Sequence, residues 1–225
     1  MQARTIAVIG GTGKEGSGLA LRWAHAGHRV LIGSRSVDRA RETAAAINAR
    51  GGAERAQGMD NLAAAEGAEL AVLTVPYAAQ LETLKGISAA LTGKILIDVT
   101  VPLVPPQVSR AQLPEGGSAV LNAQKSLGDT VRVVSAFQNV SAEHLATLGH
   151  AIDCDVLVCG DDKHARAEVI ALAKDAGMRA FHGGALANSA AAEALTSALI
   201  AINRQYKIKH SGIRITGLPP DAADG

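Results

Sequence analysis

The sequence predicts an α/β fold of the Rossmann type, a doubly wound, mostly parallel sheet with a small C-terminal helical segment. Three observations lead there. Short β-branched runs alternate with alanine-rich stretches at helical spacing, the pattern of successive βαβ units. The runs are near-continuously apolar, as expected for strands covered on both faces. A glycine-rich turn lies directly between the first run and the first helix, where this class of fold holds phosphates.

Each element follows from its residues. Residues 5–9 are an apolar strand that runs straight into glycines, and an amphipathic helix over 16–26 follows. A strand over 29–32 leads to a helix over 38–50, a weaker strand over 53–57 and a short helix over 61–65. Apolar runs then place strands at 69–75, 94–99 and 132–137, separated by helices at 78–91 and 119–126. Between the last two strands the prolines of Val101-Pro102-Leu103-Val104-Pro105-Pro106 bias their predecessors away from helix, so that stretch is extended. Further on come a helix over 142–148, a strand over 155–159, a helix over 164–176 and a short strand over 179–181. A final alanine-rich helix is expected over 188–204. Residues 218–225 have nothing to bury and read as a frayed end.

Composition narrows the class. Among 225 residues, 22 Lys and Arg stand against 21 Asp and Glu, without the basic excess of a nucleic-acid surface. No apolar run approaches the ~18 residues of a membrane span, and no secretory signal opens the chain. Two cysteines supply no disulfide framework, which makes a reducing, cytoplasmic setting the expectation. The 44 alanines favour helices packed closely on a sheet.

Gly11, Gly13 and Gly16 in Gly10-Gly11-Thr12-Gly13-Lys14-Glu15-Gly16 satisfy G-x-G-x-x-G. The first glycine is expected to permit the tight turn and the second to let a pyrophosphate approach the backbone. The third lets the helix pack on the strand. The free amides at the helix start then hold the anion. About 20 residues later an acid would read the ribose hydroxyls of NAD. Here Ser34 and Arg35 occupy that place, with Arg39 and Arg41 following, so the pattern predicts NADP(H). Asp38 is read as a helix cap and Arg41 as a solvated side chain.

Several segments in order resemble the NADPH-dependent reductases of coenzyme F420, an 8-hydroxy-5-deazaflavin hydride carrier. They are Ile9 to Gly16, Gly33-Ser34-Arg35, Val72-Leu73-Thr74-Val75-Pro76, Val134-Ser135-Ala136-Phe137, Val158-Cys159-Gly160-Asp161-Asp162 and Gly184-Ala185-Leu186-Ala187-Asn188-Ser189. The resemblance spans nearly the whole chain. It implies a homodimer with an NADP-binding domain over 1–185 and a small segment over 186–225 that closes the second carrier's pocket. Hydride would pass directly between nicotinamide and deazaflavin. By the same resemblance Thr12, Gly13, Lys14 and Glu15 lie at the pyrophosphate, and Ser34, Arg35 and Arg39 at the 2′-phosphate. Pro76, Tyr77, Leu81, Leu103 and Ala142 complete that set. On the deazaflavin side stand Val140 and Gln138, a glutamine where the family has histidine. The tail 207–213 corresponds to the family's closing C-terminus. Its basic residues either touch the charged tail of a phosphorylated, glutamylated carrier or solvate the chain end.

A dehydrogenase of alcohols or carbonyls needs a placed acid or base, and the candidates are poor. His25 and His28 read as helix-end residues, and His144, His150 and His164 as surface residues. His182 and His210 have some prospect of reaching a cleft, and Lys125 is the best remaining donor, though a solvated lysine by default. No catalytic residue is assigned. Cys154 and Cys159, an odd separation apart near one strand, read as core thiols, Asp161 and Asp162 as helix-start acids, and no metal site is assigned. The rival readings are a reductase of a flavin, a ferric complex or another small acceptor, and a non-catalytic NADP(H) sensor. Ala190 to Leu195 suit close helix packing, within the chain or between subunits.

Overall fold

The computed structural model describes residues 3–51 and 54–218. One eight-stranded sheet runs in the order β3-β2-β1-β4-β5-β6-β7-β8. Its strands are β1 (Thr5–Ile9), β2 (Arg29–Gly33), β3 (Ala56–Met59), β4 (Leu70–Leu73), β5 (Ile95–Asp98), β6 (Arg132–Ser135), β7 (Val156–Gly160) and β8 (Ala180–Gly184). All neighbours pair in parallel except β6 and β7. The strand order reverses direction at β1/β4, which opens the crevice at the carboxyl ends where ligands of such sheets bind.

Helices cover both faces: α1 (Lys14–Ala26), α2 (Val37–Gly51), α3 (Asn61–Gly67), α4 (Gln80–Leu91), α5 (Ala119–Leu127), α6 (Ala142–Leu145), α7 (Lys163–Asp175) and α8 (Ser189–Tyr206). Two cores result. On one face Trp23, Leu19 and Leu21 of α1 pack with Val8, Val72 and Val134 of the sheet. On the other, Leu84 and Leu91 of α4 pack with Ile9, Leu73 and Leu96. Among the described residues no helix is long and apolar enough to cross a membrane.

Where expectation and structure differ, the reason is local. The third strand lies at Ala56–Met59 rather than 53–57, because Gly58 must sit against α2: a Cβ there would stand 2.2 Å from the backbone of Ala40 and Arg41. Ala53 itself lies outside the described residues, as do Pro219 to Gly225 of the expected frayed end. Helix α6 stops at Leu145 instead of 148. The chain beyond it is held by a buried guanidinium instead of helical hydrogen bonds. Arg22, on α1, donates to the carbonyls of His144, Leu145, Thr147, His150 and Ala176 at 2.8–3.1 Å.

Other details follow the same logic. Asp162 caps α7 by accepting the Ala165 amide at 2.7 Å, which holds its carboxyl below the usual range. At α2 the capping acceptor is Ser36 Oγ, which takes the Arg39 amide at 3.4 Å. Asp38 instead lies exposed beside Arg41. Cys154 and Cys159 are free, buried thiols, and burial raises both pKa values. His28 closes α1 as expected, its amide donating to the Trp23 carbonyl at 3.0 Å just past the left-handed Gly27, and its buried ring, 2.9 Å from Asp175, ties that helix end to α7.

Replacing Arg22 by methionine keeps the bulk and removes every donor to these five carbonyls. The expected cost is about 3 kcal/mol or more, given ~1–3 kcal/mol for a buried group left without its partner. A urea titration checks this, the midpoint falling with the slope unchanged.

Candidate active site

The site begins with a backbone that cannot carry side chains. Gly10 has φ +73° and a Cβ on it would lie 2.5 Å from Val75. The left-handed residue of the turn is therefore Gly10, one position before the glycine the motif would nominate. Gly11 serves a different need: its Cβ would stand 2.7 Å from the Val8 carbonyl. Gly16 brings α1 onto β4, since its Cβ would lie 2.4 Å from Thr74 Oγ1 and 2.9 Å from Gly11 Cα. Around Gly13 a Cβ would find nothing closer than 3.7 Å, and its amide donates within the turn to the Gly10 carbonyl at 3.2 Å.

These turns form one wall of a cleft of about 680 Å³. Thr12, Gly13, Lys14 and Glu15 line it at the start of α1, and Ser34, Arg35 and Arg39 line it at the end of β2. Pro76 and Tyr77, after β4, face them with Leu103 from the proline-rich loop. Gln138 and Val140, after β6, close the far end. Of the expected residues, Gly11 and Gly16 are buried behind the wall, Leu81 is exposed on α4, and Ala142 starts α6 outside the lining. His182 lies exposed on β8 and Lys125 exposed on α5, neither of them in the cleft wall. No histidine or cysteine lines the cleft among the described residues.

The two ends of the cleft differ in charge. Arg35 and Arg39 are exposed, and their guanidinium groups have no ion pair or hydrogen bond to another of the described residues. Ser34 is nearly buried and its Oγ accepts the Ser36 amide at 3.2 Å, which leaves its hydroxyl proton free to donate. Glu15, partly buried and unpaired among the described residues, is pushed up to about 8 by burial. At the other end the groups are neutral amides and hydroxyls. Gln138 donates from Nε2 to the Asp98 carbonyl at 2.7 Å, and Thr196 of α8 donates to the Gln138 carbonyl at 2.9 Å. Burial raises the Asp98 carboxyl, which accepts from Gln80 Nε2 at 2.6 Å and the Thr100 amide at 2.8 Å.

Phe137 makes this end possible. Its φ of +73° is costly for a bulky residue, about 1–2 kcal/mol. The turn it makes carries the chain out of β6 so that Gln138 reaches the cleft. Burial of its ring edge-on to Trp23, centroids 6.0 Å apart, compensates.

Residues not singled out from the sequence also line the cleft. Asn61 accepts the Gly10 amide through Oδ1 at 3.3 Å. Thr74 donates to the Ile9 carbonyl at 2.9 Å. Thr100 and Thr196 complete the neutral end. Thr74 lay within a motif already marked. Thr196 gave no signal beyond its helix.

Residues 5–102 match the profile of the family described as "NADP oxidoreductase coenzyme F420-dependent". The F420-dependent NADP reductase of Methanocaldococcus jannaschii is 40% identical over 221 residues, 95% of this chain and 98% of the relative. That of Methanothermobacter marburgensis is 42% identical over 223 residues, 95% and 99% of the two chains. A crystal structure from Arthrobacter sp. FB24, provisionally assigned as an F420-dependent NADP-reductase, superposes with a TM-score of 0.79. It shares 26% identity and covers 95% of this chain and 100% of its own. An imine reductase from Bacillus cereus superposes at 0.64 with 19% identity, over 90% of this chain and 62% of its own, a likeness of fold alone. With relatives at 40% identity or more across nearly their full length, this chain belongs to the family of coenzyme F420-dependent NADP oxidoreductases.

Proposed function

We propose that the chain catalyses direct hydride transfer between NADP(H) and the deazaflavin coenzyme F420. The observation that carries this is the identity of 40–42% over 95% of the chain to reductases of that name. The cleft fits both partners. The N-terminus of α1, which opens at Lys14 on the cleft wall, suits a pyrophosphate. Ser34 and the unpaired Arg35 and Arg39 suit a 2′-phosphate, and no acid stands at the end of β2 to repel it. The neutral end, from Tyr77 to Gln138, suits flat rings that carry no phosphate.

The chemistry of such a pair belongs to the carriers, whose ring carbons give and accept the hydride. The protein's part is alignment and exclusion of water. Ser34 and Arg35 anchor the adenosine end, the loop at 10–16 fixes the pyrophosphate, and Pro76 and Tyr77 limit how the first ring settles. Gln138, Val140 and Thr196 wall the second ring. Holding reacting carbons near ~3–3.5 Å is worth several kcal/mol without any acid or base. Support for this economy is the absence of histidine and cysteine from the described lining. The cleft's ionisable groups, Lys14, Glu15, Arg35, Arg39 and Tyr77, lie at the phosphate end or on its border.

The molecule is further read as a cytoplasmic homodimer. Its buried free thiols suit a reducing compartment. Val104 and Leu113 of the proline-rich loop, and Ile202 and Tyr206 of α8, are exposed apolar residues. Arg204 Nη1 joins the two segments through Ser109 Oγ at 2.9 Å, so a partner surface could cover both.

Mixing the protein with NADPH and F420 should bleach the deazaflavin's visible absorbance; an unchanged spectrum at saturation rejects the assignment. In Arg35→Ala the NADP(H) dissociation constant should rise at least about tenfold, matching ~1.5–3 kcal/mol for a charged hydrogen bond, while that for NAD(H) stays put. Calorimetry on both dinucleotides decides. Glu15 sets a pH dependence. Its carboxyl is neutral below about 8, and ionisation above that point places a negative charge beside the pyrophosphate. NADP(H) affinity should therefore fall as pH rises through about 8, and Glu15→Gln should flatten that fall.

A further inference from the structure

Three imidazoles meet in and around the segment that follows Val140. His144 lies on α6, His150 follows it after a turn, and His210 comes from the C-terminal tail more than sixty residues on. The His144 ring centroid is 4.6 Å from that of His150 and 4.3 Å from that of His210. His210 is fixed at both nitrogens, by Ser141 Oγ at 2.9 Å and Glu143 Oε2 at 3.4 Å. The rings of His144 and His150 have no hydrogen-bond partner among the described residues. Val140, which lines the cleft, immediately precedes Ser141, so the cluster begins where the wall ends.

The surrounding charge is one-sided. Arg22 of α1 donates to the carbonyls of His144 and His150, and Arg50 of α2 donates to that of Ala146 at 2.5 Å. Exposed Lys207 and Lys209 flank His210 on the tail. Farther along the tail, Arg214 is already paired with Asp153 and Asp155. Glu143 is the acid facing the rings. Partial burial and the neighbouring imidazoles hold His144 below its ordinary pKa. The rings are tilted against one another by 50° and 58°, and no group of three or more His, Cys, Asp or Glu among the described residues could hold a metal ion. Glu143 partners His210, and the rings of His144 and His150 have no ion pair among the described residues.

We propose that His144, His150 and His210 form a subsite for the anionic side chain of the second carrier, the phosphodiester and carboxylates that extend from its ring. The inference rests on the reading above, with a deazaflavin walled by Gln138 and Val140. A ring held there leaves its side chain at the rim that Ser141 and α6 occupy. Phosphate and carboxylate charges then favour the protonated imidazoles. Binding takes up protons, and the side chain's contribution to affinity grows as pH falls through the histidine range.

The test compares two ligands on the full chain by fluorescence titration: F420, and the same chromophore without its phosphodiester and glutamate groups. Both carry the same ring, so any titration of the ring cancels in the ratio of their dissociation constants. That ratio should favour F420 about five- to tenfold more at about pH 6 than at about pH 8, as expected for two or three partly exposed charge pairs. The triple variant His144→Gln, His150→Gln, His210→Gln should make the ratio independent of pH. Glu143→Gln, which removes the competing acid, should raise it at the higher pH. A ratio in the wild-type chain that does not change with pH, or a triple variant that keeps the change, overturns the subsite while leaving the functional reading intact. Failure of both ligands to bind would overturn that reading and the subsite together.

Discussion

Close approach of backbone to backbone at the carboxyl end of β1 is the constraint on which the site depends. The Gly11 amide is shared between the carbonyls of Val8 at 3.2 Å and Gly33 at 3.0 Å. One glycine thus pins the phosphate loop to the end of β2, the strand that delivers Ser34 and Arg35. Gly33 is itself crowded, since a Cβ would lie 2.8 Å from Asn61 Oδ1. That same oxygen accepts the Gly10 amide. Loop, second strand and α3 therefore share one contact point, and the distance from the glycine loop to Ser34 and Arg35, the proposed pyrophosphate and 2′-phosphate anchors, is built into the backbone. Long flexible side chains such as Arg35 need then supply only the final charge, at little further cost in ordering.

The opposite half of the cleft is organised by buried polar groups. Gln80 joins Asp98 to the Ala119 carbonyl. Glu193 of α8 accepts from Ser118 Oγ and from the amides of Ala119 and Val120, and so holds the first turn of α5. Burial raises the Glu193 carboxyl, and the helix-start amides are what make its position tolerable. Asn139 donates to the Ala192 carbonyl at 2.9 Å. Through these links α8 fixes the segment that carries Gln138. The result is a division of labour by charge: free guanidinium groups at the proposed phosphate end, and neutral groups, with Gln138 Oε1 and Thr100 Oγ1 buried and unpartnered, at the end proposed for the rings.

Much of this was legible in the sequence because buried parallel strands write themselves as apolar runs. Thr5 to Ile9 and the glycines after it could hardly be another element, and Ser34-Arg35 stood where a ribose acid would. The rest depended on contacts that no local pattern records. The run Ala56-Gln57-Gly58-Met59 has no β-branched residue, so its strand was placed early. The antiparallel turn of β7 against β6 is set by the path of the chain after Phe137, whose positive φ is unusual for its residue type. Asn61 reads as the start of a short helix, and only the fold brings it to Gly10. The imidazole cluster was invisible for the same reason. His150 is exposed and His144 half-buried, in keeping with a surface reading, and what brings them together with His210 is Arg22, more than 120 positions earlier, holding their carbonyls, and the return of the tail.

Proton-carrying side chains occur in this molecule, but their placement is selective. Histidines are absent from the described cleft wall and three of the seven gather around the segment that follows it, while burial raises the Glu15 carboxyl at the phosphate loop. A hydride passing between two carriers needs no proton from the protein at the reacting carbons. A titratable group beside stacked rings would change the local field with pH and draw in water, weakening the alignment on which the rate depends. The same groups at the rim, or beside a phosphate, act only on binding. Separating the sites that grip from the site that reacts lets pH modulate affinity while the geometry of transfer stays constant.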